Sequence, residues 1–444
     1  MKRIIKYLLL FTSLSTLFSC GKASIESAKQ LLNNTANEPN SLKGNLSANF
    51  GTGGIVTQDI VEFSTSSNDL GKQVLIDETG SIFVAGTGGP VPNAAIWKFD
   101  SNGILDTSFG GGDGLFTDRI GSSDRVNDMA FDSLGNIILV GKTFISGEAD
   151  DLAVWKITPS GVLDTTFGGG TGYVTHRTAS GSVYEEGYSV TIDSNNNIIV
   201  SGTTTSNGAA IWKFTPTGVP DTSFGGGSGF VLNATFSFAN GVTVDENDNI
   251  YATGNGGGIK VVKYDSNGDP DLSFSGDGSF EYDNPSGSEG ASDIALDSSG
   301  NVVITGSQSN GADNDMLVMR ITPTGTLDTT FGSGQGYITH HNAALGNGSD
   351  SGSALTLDSD GNILVIGESE GATKDIAIWK ISAAGSLVTS FGNGDGFVTF
   401  DDLAGGNGYD IGYGLARTDS GKLAATGLSQ SATTSEDMVL FLLE

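Results

Sequence analysis

Apolar residues in this chain fall in short runs, rich in β-branched and aromatic side chains and cut off by Gly, Asn, Asp or Pro. Residues 188–233 show the pattern once through: 188–192, 198–202, 209–214 and 229–233 are apolar runs, with polar turns at 193–197 and 215–218. Runs this short with such flanks predict extended strands, since helices need about ten residues or more.

The set of four runs repeats. The stretch Leu105-Asp106-Thr107-Ser108-Phe109-Gly110-Gly111-Gly112-Asp113-Gly114 returns at 163–172, 220–229, 272–279, 327–336 and 387–396, and a worn copy occupies 46–51. Its phenylalanines, Phe50, Phe109, Phe167, Phe224, Phe274, Phe331 and Phe391, lie 59, 58, 57, 50, 57 and 60 residues apart. Four antiparallel strands per repeat of this length describe one blade of a β-propeller, whereas a solenoid coil closes in about 20–30 residues. Counting strands from the axis outward, the first strands are expected at 73–77, 128–132, 188–193, 241–245, 293–297, 353–358 and 412–418. The last repeat stops after a third strand at 438–443, and the chain opens with an unattached Phe50-Gly51 and a fourth strand at 55–57. Setting 53–57 beside 438–443 closes a ring and covers both edges. The expected fold class is all-β: a seven-bladed β-propeller of four-stranded antiparallel blades, closed by the N-terminal strand and spanning 44–444.

A charge pattern agrees with the closure. Lys98 and Asp106, Lys156 and Asp164, Lys213 and Asp221, Lys263 and Asp271, and Arg320 and Asp328 are each eight residues apart. The closing blade has Leu442 and Ser47 instead, and Lys380 faces Val388. These pairs are expected to be structural salt bridges, because partly buried charges need partners. Trp97, Trp155, Trp212 and Trp379 in the third strands, with Tyr264, Met319 and Phe441 taken as their equivalents, are expected to pack between blades.

Composition narrows the class further. Sixty-seven glycines and only 16% charged residues suit tight turns between strands. The net charge of -30 repels nucleic acid and anionic headgroups, and no nucleic-acid partner is expected. Lys2, Arg3 and Lys6 precede a short apolar segment at 7–18, the layout of a secretory leader. The single cysteine, Cys20, excludes an internal disulfide.

Leu17-Phe18-Ser19-Cys20 resembles the lipobox of bacterial lipoproteins. That resemblance implies a leader at 1–19, a lipidated Cys20 and, with Gly21 next, an outer-membrane address facing the periplasm or the cell surface. Residues 20–43 are polar and read as a flexible tether. The Phe-Gly-x-Gly-x-Gly turn, the Asp-Ser-x-Gly-Asn turn and the period resemble the bacterial delta-60 repeat and, more distantly, NHL-type propeller repeats. The resemblance implies a propeller in secreted or surface proteins and no particular activity.

Antiparallel order sends the repeated turns to one face and the variable connections to the other, where Phe144, Tyr184, Phe238 and His341 are expected to mark any ligand site. The turns at 245–249, 265–269 and 358–362 invite Ca2+, but 132–136 lacks the middle carboxylate, so no cofactor and no metal centre is expected. With three histidines, a lipobox cysteine and no nucleophile elbow, no catalytic residue is singled out. The expected function is a monomeric, lipid-anchored envelope protein with a non-catalytic binding or structural propeller and a protein or glycan partner. The alternative is a carbohydrate-active propeller, hydrolase or lyase.

Overall fold

At the head of six of the seven first turns an aspartate decides where the first run ends; the last has Thr418, whose hydroxyl accepts from Lys422 N at 3.0 Å. Asp132 Oδ1 accepts the backbone N–H groups of Leu134 and Asn136, both at 2.9 Å. Asp77, Asp193, Asp245, Asp297 and Asp358 repeat this with the residues two and four further on. Such a side chain satisfies the turn's own donors, so the chain reverses and the next run pairs back on the last.

The computed structural model describes residues 42–58, 68–145, 149–177, 184–205, 208–284, 287–406, 408–431 and 436–444. The leader, Cys20 and nearly all of the tether lie outside these residues. The described strands form seven four-stranded antiparallel sheets, the blades. Their first strands are Leu70–Ile76, Ser123–Phe131, Glu185–Ile192, Phe238–Val244, Glu289–Leu296, Asp350–Leu357 and Asp410–Arg417, for blades 1 to 7. Each first strand packs on the first strands of both neighbouring blades, so these seven are innermost and surround the axis.

Blade 7 is closed as the repeat pattern predicts. Ile55–Gln58 is its outermost strand, pairing with Glu436–Leu443 in the register Ile55 to Phe441 through Gln58 to Met438. Its last turn is split between the two ends of the chain: Lys43 and Asn45 donate to the Glu444 carbonyl, and Glu444 donates back to Asn45.

The recurring Phe-Gly turn is a latch between blades. Every one of its seven phenylalanines is at most 1% exposed. Six of the rings fill the space that a Cβ would need at a glycine of the following blade: Phe109 under Gly161, Phe167 under Gly218, Phe224 under Gly268, Phe331 under Gly385, Phe391 under Gly44 and Phe50 under Gly103, whereas a Cβ on Gly325 would meet Ser275 and the Phe274 backbone. The residue after each Phe donates its N–H to the same turn of that blade, as Gly110 does to Ser160 and Gly392 to Lys43. Burying one such ring is worth about 1.5–3 kcal/mol.

Three expectations are corrected. The first strands begin up to five residues earlier than the pattern indicates, because each carries a β-bulge that breaks its alternation. Val262, not Tyr264, occupies the tryptophan position of blade 4, since Val262 pairs with Ser279 as Trp212 pairs with Phe230. Lys156 pairs with Asp132 at 2.9 Å rather than with Asp164. The other pairs form, at 2.9 Å for Lys98–Asp106 and 2.7 Å for both Lys263–Asp271 and Arg320–Asp328, but Lys213 is closer to Asp193 (3.1 Å) than to Asp221 (4.0 Å).

Candidate binding site at the axial mouth

A β-bulge sets two residues against one and re-aims the extra side chain. Here one bulge falls at the same place on every innermost strand, at Lys72, Asn127, Tyr188, Asn240, Ser292, Ser353 and Tyr413. All seven side chains carry a polar group, all are half-buried, and together they ring the axis toward the variable face. Several reach an adjacent blade. Lys72 Nζ lies 3.3 Å over the Tyr413 ring, Asn127 donates to Glu186 Oε1 (2.9 Å) and the Gly187 carbonyl (2.8 Å), and Asn240 donates to the Ala291 carbonyl (2.7 Å).

Positive charge gathers on one side of this mouth. Arg125 stands directly opposite Lys142 across the first strand pair of blade 2, a like-charge placement that costs stability unless it is neutralised. Lys142 has its neutralising partners: Asp150 at 3.0 Å, Glu186 at 3.3 Å and the Tyr184 hydroxyl at 3.0 Å, with that hydroxyl also bonded to Glu186. Lys72 and Arg125 pair with no carboxylate among the described residues. Burial, reinforced by the Arg125 charge, pushes the Lys72 ammonium down to about 8. Burial pushes the Tyr413 hydroxyl up to about 12 and raises Tyr188 as well. Lys72, Arg125, Asn127, Asn68 and Glu436 line an open cleft of about 420 Å³.

One residue further along the same strands lie two carboxylates of a different kind. Asp128 accepts from Gln73 Nε2 (2.8 Å), Met129 N (2.7 Å) and Val190 N (2.8 Å), tying blades 1, 2 and 3. Asp293 accepts from Ile294 N and, across to blade 6, Leu355 N, both at 2.8 Å; burial pushes its carboxyl up to about 7. Their lone pairs are committed to the scaffold.

The four residues expected to mark a site are all on the variable face but belong to different places. Phe144 ends the second strand of blade 2, Tyr184 precedes the first strand of blade 3, Phe238 opens that of blade 4, and His341 follows the outermost strand of blade 5. Tyr184 reaches the mouth through Lys142 and Glu186, and Phe238 through a ring contact with Tyr188 at 6.3 Å. Phe144 and His341 are not brought to it. Lys72, Arg125 and Tyr413 were not singled out from the sequence. A signal existed: a small residue before six of the bulges (Gly71, Gly187, Ala239, Ala291, Gly352, Gly412), with Val126 before the seventh, aligns the copies, and the next column is always polar and varied. In the turns at 245–249, 265–269 and 358–362, Asp245, Asp265 and Asp358 accept from their own backbone, as Asp132 does. His340 Nδ1 accepts from Trp379 Nε1 at 3.1 Å, and His176 sits among Trp212, Phe214 and Phe230 with its Nδ1 2.8 Å from Glu185 Oε2, so both serve the scaffold.

Residues 79–109, 135–167, 194–224 and 298–331 match the model of a domain of unknown function (DUF5122) beta-propeller. Each match runs from a first turn to the latch phenylalanine and leaves out the innermost strand. A comparison with the curated proteins finds no match. Among solved structures, the chain is similar to the WD40 beta propeller domain of Doa1, at 12% identity and TM-score 0.49, over 87% of this chain and 96% of that one. It is also similar to Sqt1 of Chaetomium thermophilum (11%, 0.45, 86% and 96%) and to a protein of unknown function from Dyadobacter fermentans (10%, 0.40, 88% and 99%).

Proposed function

We propose that this chain is a lipid-anchored protein of the bacterial envelope whose propeller is a non-catalytic binding module, taking an anionic group of a protein or glycan at the axial mouth. The observation that carries the reading is the pair Lys72 and Arg125, adjacent, without ion-pair partners among the described residues, and set in a chain of net charge -30. Two neighbouring cations without an ion pair, the half-buried Lys72 being only partly offset by the charges of Glu436 and Glu186, are costly without a ligand and useful with one. The lipobox-like Leu17-Phe18-Ser19-Cys20 supports the anchor, and Gly21 favours the outer membrane. The chain enters the ring at Lys43, on the face of the repeated turns. An anchor upstream of that point leaves the mouth on the opposite face open to a partner in the periplasm or at the cell surface.

The test is a binding screen of the immobilised chain against envelope proteins and acidic and neutral glycans. An acidic partner should bind saturably and lose at least tenfold in affinity in Lys72→Ala and Arg125→Ala. Binding should also weaken as pH rises from 7 to 9, because Lys72 loses its charge near 8 while Arg125 keeps its own. Retention of full affinity by both variants would overturn the reading. The depressed Lys72 favours one alternative, a lyase acting on an acidic glycan with Lys72 as base and Arg125 on the uronate carboxylate. That reading requires an unsaturated uronate product, detected by its ultraviolet absorbance, which disappears in Lys72→Ala.

A further inference from the structure

The junction of blades 5 and 6 holds a second constellation, away from the mouth. His341 Nδ1 faces three carboxylates: Asp315 Oδ1 at 3.1 Å, Asp313 Oδ1 at 3.7 Å and Asp350 Oδ2 at 3.8 Å. Ligand atoms of Asp313, Asp315 and His341 all lie within 4.8 Å of one another. Asp350 is fully buried at the start of the innermost strand, and its Oδ1 has no hydrogen-bond partner; His341 Nδ1 is buried and lacks one too. Asp350 Oδ2 takes the Asn342 N–H, and Asn310 Nδ2 donates to Asp313 (2.6 Å) and Asp315 (2.8 Å). No lysine or arginine pairs with the three aspartates among the described residues.

The molecule supplies its own reference for this place. Repeat symmetry maps Asp315, His341 and Asp350 onto Asp151, Arg177 and Glu185 at the junction of blades 2 and 3, because Met316 pairs with His340 as Leu152 pairs with His176. There the Arg177 guanidinium holds Asp151 with two bonds, at 2.7 and 2.9 Å. At blades 5 and 6 the guanidinium is replaced by a shorter imidazole, while Asp313 adds a carboxylate. Three carboxylates then face one ring nitrogen, and burying Asp350 uncompensated is costly.

We propose that a divalent cation binds here in the place of the missing guanidinium, held by Asp313, Asp315 and His341 with Asp350 behind them. Three hard oxygens with one imidazole nitrogen suit Mn2+ or Zn2+; an imidazole ligand argues against Ca2+, which takes oxygens alone. The site differs from the turns at 245–249, 265–269 and 358–362, whose aspartates already serve their own backbones.

The test uses the full chain in detergent, stripped with chelator and dialysed against Mn2+ or Zn2+ alone. One equivalent of metal should bind and raise the melting temperature. Asp315→Asn and His341→Gln should each weaken binding at least tenfold, with unchanged circular dichroism, whereas Asp151→Asn should leave it intact. The spectrum of bound Mn2+ should show a nitrogen coupling that His341→Gln removes. Absence of stoichiometric metal, or binding indifferent to both variants, overturns the proposal. So does stabilisation that appears only on acidification in the presence of chelator, which would make imidazolium the counter-ion.

Discussion

Phe224 and Gly268 show how little of a residue's role lies in the residue alone. The ring is fully buried, and a Cβ on Gly268 would come within 2.8 Å of it, at a backbone φ of +87°. Phe224→Ala should cost about 3–5 kcal/mol, the usual range for emptying a packed aromatic site. Gly268→Ala should cost less in that background than alone, because the cavity accepts the methyl group while the positive-φ strain remains in both. Urea unfolding of the two single variants and the double variant measures this; strict additivity would mean that the ring does not occupy the glycine's space. Asp293 makes a prediction with a sign. Its folded pKa, about 7, lies above the usual 3.8, so between these values the folded state holds a proton that the unfolded state has lost. Stability from this group is full below about 4, falls as pH rises toward 7 and is flat beyond. Asp293→Asn should remove that slope, at a cost of about 1 kcal/mol for the acceptor it takes from Leu355 or Ile294. Melting temperatures across pH 4–8 would show it, and an unaltered slope would point to another group.

At the scale of strands and turns, the charge pairs reveal a choice that spacing alone could not. Lys156, Lys213 and Lys380 stand opposite Ile138, Ile199 and Leu364, and each reaches the first-turn aspartate of its own blade, at 2.9, 3.1 and 3.2 Å. Lys98 and Lys263 stand opposite Phe83 and Tyr251, lie 5.2 Å over those rings, and turn instead to Asp106 and Asp271. A ring at the facing position blocks the path to the turn and offers the ammonium its π-face. Tyr251→Ile should therefore send Lys263 toward Asp245. Asp271, whose carboxyl Lys263 and Ser273 hold down to about 2, should titrate measurably higher by carboxyl NMR. If it does not move, the ring is not what selects the partner. The same scale marks the limit of what was legible. Blade number, strand order and ring closure follow from the Phe spacing and from the complementary deficits at 46–57 and 438–443. The front halves of the innermost strands do not, because at Lys72 or Asn127 the bulge slips the alternation by one. The residues hidden by that slip form the axial mouth. The variable-face aromatics drew attention because they are conspicuous in sequence, whereas Lys72 and Arg125 become a site only when seven strands place them around one axis.

For the whole molecule, closure matters more than any one blade. In an open repeat array each unit answers only to its neighbours, and end units need caps. Here blade 7 borrows its outermost strand, Ile55–Gln58, and half of a turn, Lys43 and Gly44, from the other end of the chain. Removing residues 42–58 exposes the edge of the last strand from Met438 to Leu443. It also deprives Phe391 of the turn over its ring and takes from Phe99, in blade 1, the core partners Phe50 and Val56. The loss thus falls on blades 6, 7 and 1 together, and the cut ring gains two ends at once. The shortened chain should unfold at lower urea, with a broader transition than the intact ring, and should self-associate through the bared strand, as unpaired edges do. A peptide of residues 42–58 added in trans should restore a monomer by light scattering, because it carries both the strand and the turn. An unchanged midpoint in the shortened chain would mean that six complete blades hold the ring without the N-terminal segment, and that the complementary ends add register rather than stability.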